Sequence, residues 1–307
     1  MSTSLLIAQL LNGLQYGVLL FLLAAGLTLV FGIMSFVNLA HGSLYMLGAY
    51  AFAVVGAQTD SFLLGLLAAV ATGGVVGFVL EKVAVSKLYQ RDHLDHVLAT
   101  FGLVMFFNEV VRMIWGPQAV FVSLPESLSG TIEIFGFSYS SYRFLIIAVG
   151  LLVAIGSQWL IHKTRVGMLI RAGSVNPSMV GALGVNIRFL NAMLFALGAA
   201  LAALAGAMAG PILSVQSGMG EPVLITTLVV IVIGGIGSVH GALYAALIIG
   251  VADTLGRSYL PIFLRQIADR DIANAAGPAL ASMLIYLLMA VILVIRPQGL
   301  FPAHKEK

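Results

Sequence analysis

The sequence predicts an all-α protein, a polytopic bundle of membrane helices built as one transmembrane domain over residues 1–307. Three observations carry this. Of the 307 residues, 60% are apolar and only 9% are charged, where soluble domains run at about 25% charged. The mean hydropathy is +1.06. The apolar residues gather into about eight or nine runs close to membrane-spanning length, roughly 20 residues for a helix.

In chain order the runs are 5–33, 39–57, 62–83, 97–115, 144–161, 189–210, 223–236, 242–255 and 278–295. The second and seventh are short or adjoin polar and glycine-rich breaks, so each is a candidate for a re-entrant or broken helix. The first run is too long for a signal-peptide core, and the first basic residue is Lys82. A cleavable leader is therefore not expected. Lys and Arg in the loops set the orientation. Residues 86–95 hold Lys87 and Arg91, residues 163–188 hold Lys163, Arg165, Arg171 and Arg188, and the tail holds Arg296, Lys305 and Lys307. All three are expected in the cytoplasm. Residues 116–141 and 211–222 carry Glu126, Glu133 and Glu221 and are expected outside. Residues 256–277 conflict with this pattern: they carry Arg257, Arg265 and Arg270, yet nine crossings place them outside. Either the bias is overridden there or the seventh run does not cross. Within them, 260–267 reads as a surface-lying amphipathic turn.

Composition also excludes functions. The net charge of +3 is spread over loops, and no basic run is interleaved with aromatics, so no nucleic-acid partner is expected. There is no cysteine, which removes disulfides, thiolate catalysis and thiolate metal sites. No phosphate-binding loop of the G-x-x-x-x-G-K-[ST] kind is present, so the chain is not expected to hydrolyse ATP. No nucleophile, base and orienting group cluster, so an enzyme is not expected. His41 and His240 are each unaccompanied by a second ligand at metal spacing in the sequence, so no metal or other cofactor is expected.

The most informative stretch is the break at 163–188, KTRVGMLIRAGSVNPSMVGALGVNIR. Inside it, Asn176 can cap a helix, Pro177 suits the first helical position and Gly184 suits the stop. Met179, Val180 and Leu183 then fall on one face at helical spacing. A capped helix with an apolar face can dock a partner, or it can be a re-entry turn packed on its own helix ends.

Polar groups at membrane depth point to function because they are costly there. Asn38 and His41 are three residues apart and could line a solute path or bond between helices. Gly234, Gly235 and Gly237 could be a broken helix facing that path or a site of close helix packing. Glu109 with Arg112, and Asp253 with Arg257, are spaced to pair on a helix face. The pentads 41–45 and 240–244, HGSLY and HGALY, form a weak internal echo of the kind that duplicated transporters show.

Several stretches resemble one family across essentially the whole chain. GLTLVFGIMSFVNLAHGSLYMLGAY (26–50), RAGSVNPSMVGALGVN (171–186), FALGAALAALAGAMAGPI (195–212), GGIGSVHGALYAALIIGVAD (234–253) and RPQGLF (296–301) are similar to LivH-type permeases. These are membrane subunits of branched-chain amino acid ABC importers. The resemblance implies a multi-pass protein of the bacterial inner membrane. It also implies a homologous LivM-like permease, two cytoplasmic ATP-binding subunits and a periplasmic solute-binding protein as partners. On this resemblance 163–188 is the coupling loop, with Met179, Val180 and Leu183 in an ATPase cleft and Arg171 near its acidic rim. The loop lacks the Glu of the EAA motif found in other importer classes, so that motif's contacts are not carried over. Related permeases serve urea, short-chain amides and aromatic acids. The competing reading is a stand-alone proton-coupled secondary transporter using Glu109 or Asp253.

Overall fold

A computed structural model describes residues 3–34, 36, 38–89, 91–134, 137–266 and 269–301. Lys305 and Lys307, used above for orientation, lie outside the described residues. The helices are α1 (Thr3–Met34), α2 (His41–Thr59), α3 (Phe62–Val83), α4 (His93–Trp115), α5 (Glu126–Ser129), α6 (Ser141–Lys163), α7 (Arg165–Val175), α8 (Pro177–Ala182), α9 (Ile187–Leu213), α10 (Gly220–Gly234), α11 (Val239–Leu264) and α12 (Arg270–Ile295). Two four-residue strands, β1 (Thr131–Ile134) and β2 (Phe137–Ser140), form an antiparallel hairpin between α5 and α6.

Among the described residues, seven helices are long and apolar enough to cross a membrane. The two predicted runs that fall short are the second and the seventh. Helix α10 has 15 residues, about 22 Å at 1.5 Å per residue, less than the ~30 Å hydrocarbon core. Helix α2 has 19 residues and is preceded by a non-helical step at 38–40. Several predicted bounds move outward. The last run begins at Arg270 rather than 278, because Pro278 lies inside a helix that continues through it. The surface turn expected over 260–267 is corrected: 260–264 are the last turn of α11, and residue 267 lies outside the described residues.

Small residues set the packing. A Cβ on Gly26 would stand 2.4 Å from the Gly198 carbonyl oxygen, so α1 and α9 touch backbone to backbone. Close approach of this kind is how membrane helices gain contact without a hydrophobic driving force. Helices α1 and α11 meet in the same way, Gly17 against Ala246 and Leu247, Gly13 against Gly250 and Val251. The falling and rising numbers make this pair antiparallel. Helix α6 runs parallel to α1: Arg143 donates to the Asn12 side-chain oxygen, and Gly150 faces Val18.

These contacts define two ends. One holds the start of α1, the start of α6 and the α11–α12 hairpin. The other holds Met34, the 163–188 break, the turn between α10 and α11, and residues 296–301. The two arginine-bearing segments, 163–188 and 256–277, thus lie at opposite ends of the bundle. In the hairpin, Arg257 Nε donates to both Asp253 carboxylate oxygens at 2.8 Å, and its Nη2 donates to Ser282 Oγ at 3.0 Å. Arg265 donates to Asn274 Oδ1 at 2.7 Å. Two of the three guanidinium groups that break the charge pattern are therefore tied to their own hairpin.

At the opposite end the Tyr89 hydroxyl donates to Glu81 Oε1 at 2.9 Å. Burial first, and then the Glu81 carboxylate, push the Tyr89 phenol well above its ordinary value. Phe36 packs edge-on against Tyr89 and tilted against His96, which fixes where the chain leaves α1.

Candidate functional site

The break is a pair of helices. Helix α7, which the sequence reading left as loop, starts at Thr164, whose Oγ1 accepts from Gly167 N–H at 3.0 Å. Gly167 makes the corner possible: a Cβ there would stand 2.2 Å from the carbonyl oxygens of Leu160 and Ile161. Arg171 bends back and donates to the Ile161 carbonyl in the last turn of α6. Its charge there complements the negative end of that helix.

Helix α8 is capped as its sequence implies. Asn176 Oδ1 accepts from Met179 N–H at 3.0 Å, and Pro177 occupies the first turn. Gly184 adopts φ +89°, the left-handed stop that glycine accepts without strain. The shared face is corrected. Val180 is 6% exposed and turned inward, whereas Met179 is 65% and Leu183 79% exposed. Val180 seats the helix, and the other two apolar side chains are displayed. Met168 and Val175 of α7 are also exposed, so the whole end carries unpaired apolar surface beside basic side chains.

The second group lies deep. Asn38 and His41 are 2% and 1% exposed, at the step where α2 begins. Both polar atoms of the Asn38 amide lack a hydrogen-bond partner, and the buried His41 ring has only the Leu23 backbone within reach. A buried polar group without a partner costs about 1–3 kcal/mol, which makes Asn38 an expensive side chain to keep here. Gly42, next in the chain, meets the Gly220 backbone, so the starts of α2 and α10 abut. Beside them Glu221 accepts from Asn108 Nδ2 at 2.5 Å. Sequence reasoning missed this contact because 113 residues separate its partners.

Gly234, Gly235 and Gly237 are at the other level, at the end of the bundle. Gly235 and Gly237 take φ +102° and +81°, so the helix is broken there, and Gly234 packs on the Gly241 backbone. The chain is thus both broken and closely packed at these glycines. The break is covered by the RPQGLF segment: Leu300 N–H donates to Ile233 O at 2.8 Å and Phe301 N–H to Gly234 O at 3.0 Å. These bonds satisfy carbonyls that the end of α10 would otherwise leave open.

The predicted ion pairs form. Arg112 lies 3.2 Å from Glu109 with both side chains exposed, and Asp253 is buried against Arg257. The echoed pentads both open helices but sit in unlike places. His41 is deep in the bundle, whereas His240 is half-buried at its end, beside Gln158 and His162.

Comparison with known proteins agrees with this architecture. Residues 9–293 match the family described as branched-chain amino acid transport system / permease component. The high-affinity branched-chain amino acid transport system permease protein BraD of Pseudomonas aeruginosa is 31% identical over 305 residues, 95% of this chain and 94% of that protein. The LivH permease protein of Escherichia coli K12 is 27% identical over 313 residues, again 95% and 94%. The ribose import permease protein RbsC of the same strain is 26% identical over 256 residues, 80% of this chain and 76% of that protein. The chain is a multi-pass membrane protein and belongs to the branched-chain amino acid transport permease family.

Proposed function

We propose that this chain is the permease subunit of an ABC importer of branched-chain amino acids in the bacterial inner membrane. A periplasmic binding protein delivers the solute, a homologous permease completes the path, and two cytoplasmic ATP-binding subunits supply the energy. The α7–α8 end faces the cytoplasm and the α11–α12 hairpin faces outward, its arginines held by Asp253 and Asn274. The observation that carries this reading is α8 itself. A six-residue helix, capped by Asn176 and stopped at Gly184, displays Met179 and Leu183 away from the bundle. Apolar side chains held out at a water-facing end are the anchors of a helix-in-groove contact.

On this reading Met179 and Leu183 enter the ATPase groove, Val180 and Asn176 hold the helix in shape, and Arg171 braces the end of α6 beside the acidic rim. Asn38 and His41 are the polar lining of the path within this subunit, uncovered as the helices rearrange. The Gly234, Gly235 and Gly237 turn is the joint at its lower end. The proton-coupled alternative has less support, because Glu109 and Asp253 each already hold an arginine.

The test is reconstituted uptake of leucine with the binding protein, the second permease and the ATPase subunits. The double variant M179D/L183D is expected to lose ATP-driven uptake at least tenfold while ATP hydrolysis and membrane insertion persist. Unchanged uptake overturns the coupling assignment. Proton-driven uptake by this chain alone overturns the importer reading.

A further inference from the structure

We propose that His162 and His240 form a two-point clamp for a divalent transition-metal ion, joining the end of α6 to the start of α11. The proposal stands apart from the transport reading. It corrects the expectation that no second histidine accompanies His240: the partner lies 78 residues away in sequence and is brought in by the fold.

The two Nε2 atoms are 3.3 Å apart, with ring centroids 5.4 Å apart and planes at 52°. Two nitrogens bound at 2.0–2.1 Å to one tetrahedral ion stand about 3.3 Å apart. The rings are therefore already spaced to share an ion with no movement of either helix. Without the ion, one ring donates N–H to the other's lone pair across the same gap.

Gln158 sets which lone pairs are available. Its side-chain amide lies 2.9 Å from His240 Nδ1. With the amide nitrogen donating to Nδ1, the His240 proton sits on Nε2 and points at His162. With the amide turned over, its oxygen accepts a hydrogen bond from Nδ1–H, which leaves the Nε2 lone pair free for a metal. This is the outer partner that metal-binding histidines characteristically have. No net proton is lost in the change; the His240 proton moves between its two ring nitrogens through solvent. His162 is exposed and His240 half-buried, so an ion reaches them from the water-facing end and water completes its coordination. Among the described residues no group of three or more His, Asp or Glu is placed to hold a metal. The clamp is thus a two-ligand site, and its imidazole donors favour zinc over calcium or magnesium.

The experiment is isothermal titration of zinc chloride into the purified full-length chain, carrying no polyhistidine tag. One saturable ion per chain is expected. H162Q and H240Q should each weaken binding tenfold or more, Q158L about tenfold, and H93Q should leave it unchanged. If H240Q does not accumulate, H162Q decides, because its ring is exposed and its loss leaves the packing intact. The absence of saturable binding, or binding that H162Q leaves intact, overturns the proposal.

Discussion

Helix α8 and the start of α2 are opposite violations of the same rule. At α8, apolar side chains face outward although the helix is capped and closed by glycine. At the start of α2, the Asn38 amide faces inward with no partner. Folding alone favours neither arrangement: covering Met179 and Leu183, or replacing Asn38 by an apolar group, would stabilise the isolated chain. On the proposed function, the first gains from a partner at its surface and the second from a solute that passes through the interior. The two defects then mark two different functions, coupling at the end of the bundle and conduction within it.

The largest effect that can break this comparison comes from separating Val180 from its neighbours on α8. V180D places a carboxylate where the side chain is buried, and burying a charge without a partner is among the costliest substitutions. The α7–α8 segment should come loose and be cut by protease in the folded membrane protein. M179D should leave it as resistant as wild type. Equal cutting of both variants would show that the inward and outward faces are assigned wrongly.

Next comes the interior. N38L removes a buried amide with no partner, so the chain should gain thermal stability, by about 1–3 kcal/mol if the site accepts the new shape. Uptake in the assembled importer should nevertheless fall at least tenfold. A variant that is more stable and equally active would mean that Asn38 has no part in the path.

The smallest effect sharpens the comparison. N176A removes the cap of α8 and should cost about 1 kcal/mol of local stability, read as roughly fivefold faster amide exchange at Met179. Exchange in α2 should not change, because the cap acts only on the first turn of α8.

How much of this was legible beforehand follows from the range of the forces. The caps of α8 were legible because Asn176, Pro177 and Gly184 act within a few residues of one another. The second and seventh runs stood out because glycine and polar residues border them, and they are α2 and α10. Helix α7 was not legible: Gly167 and Gly173 lower its helix propensity, and only the corner against Leu160 and Ile161 gives Gly167 a reason to be there. The β1–β2 hairpin was missed for a similar reason, since each strand has four residues and the alternation is short. The bond from Arg171 back to α6 was not legible because its acceptor is a backbone carbonyl, which no sequence pattern marks. Asn108 with Glu221, and His162 with His240, became visible only when the fold joined distant segments.

On the proposed function, α8 is where this subunit meets its energy source. The most direct measurement is co-purification of wild type and of M179D/L183D from the native membrane in mild detergent. Wild type is expected to bring down two ATP-binding subunits and a second permease. The double variant, still inserted and still bound to the second permease, is expected to lose the ATP-binding subunits. ATP-binding subunits recovered at the wild-type level with the double variant would contradict that assignment.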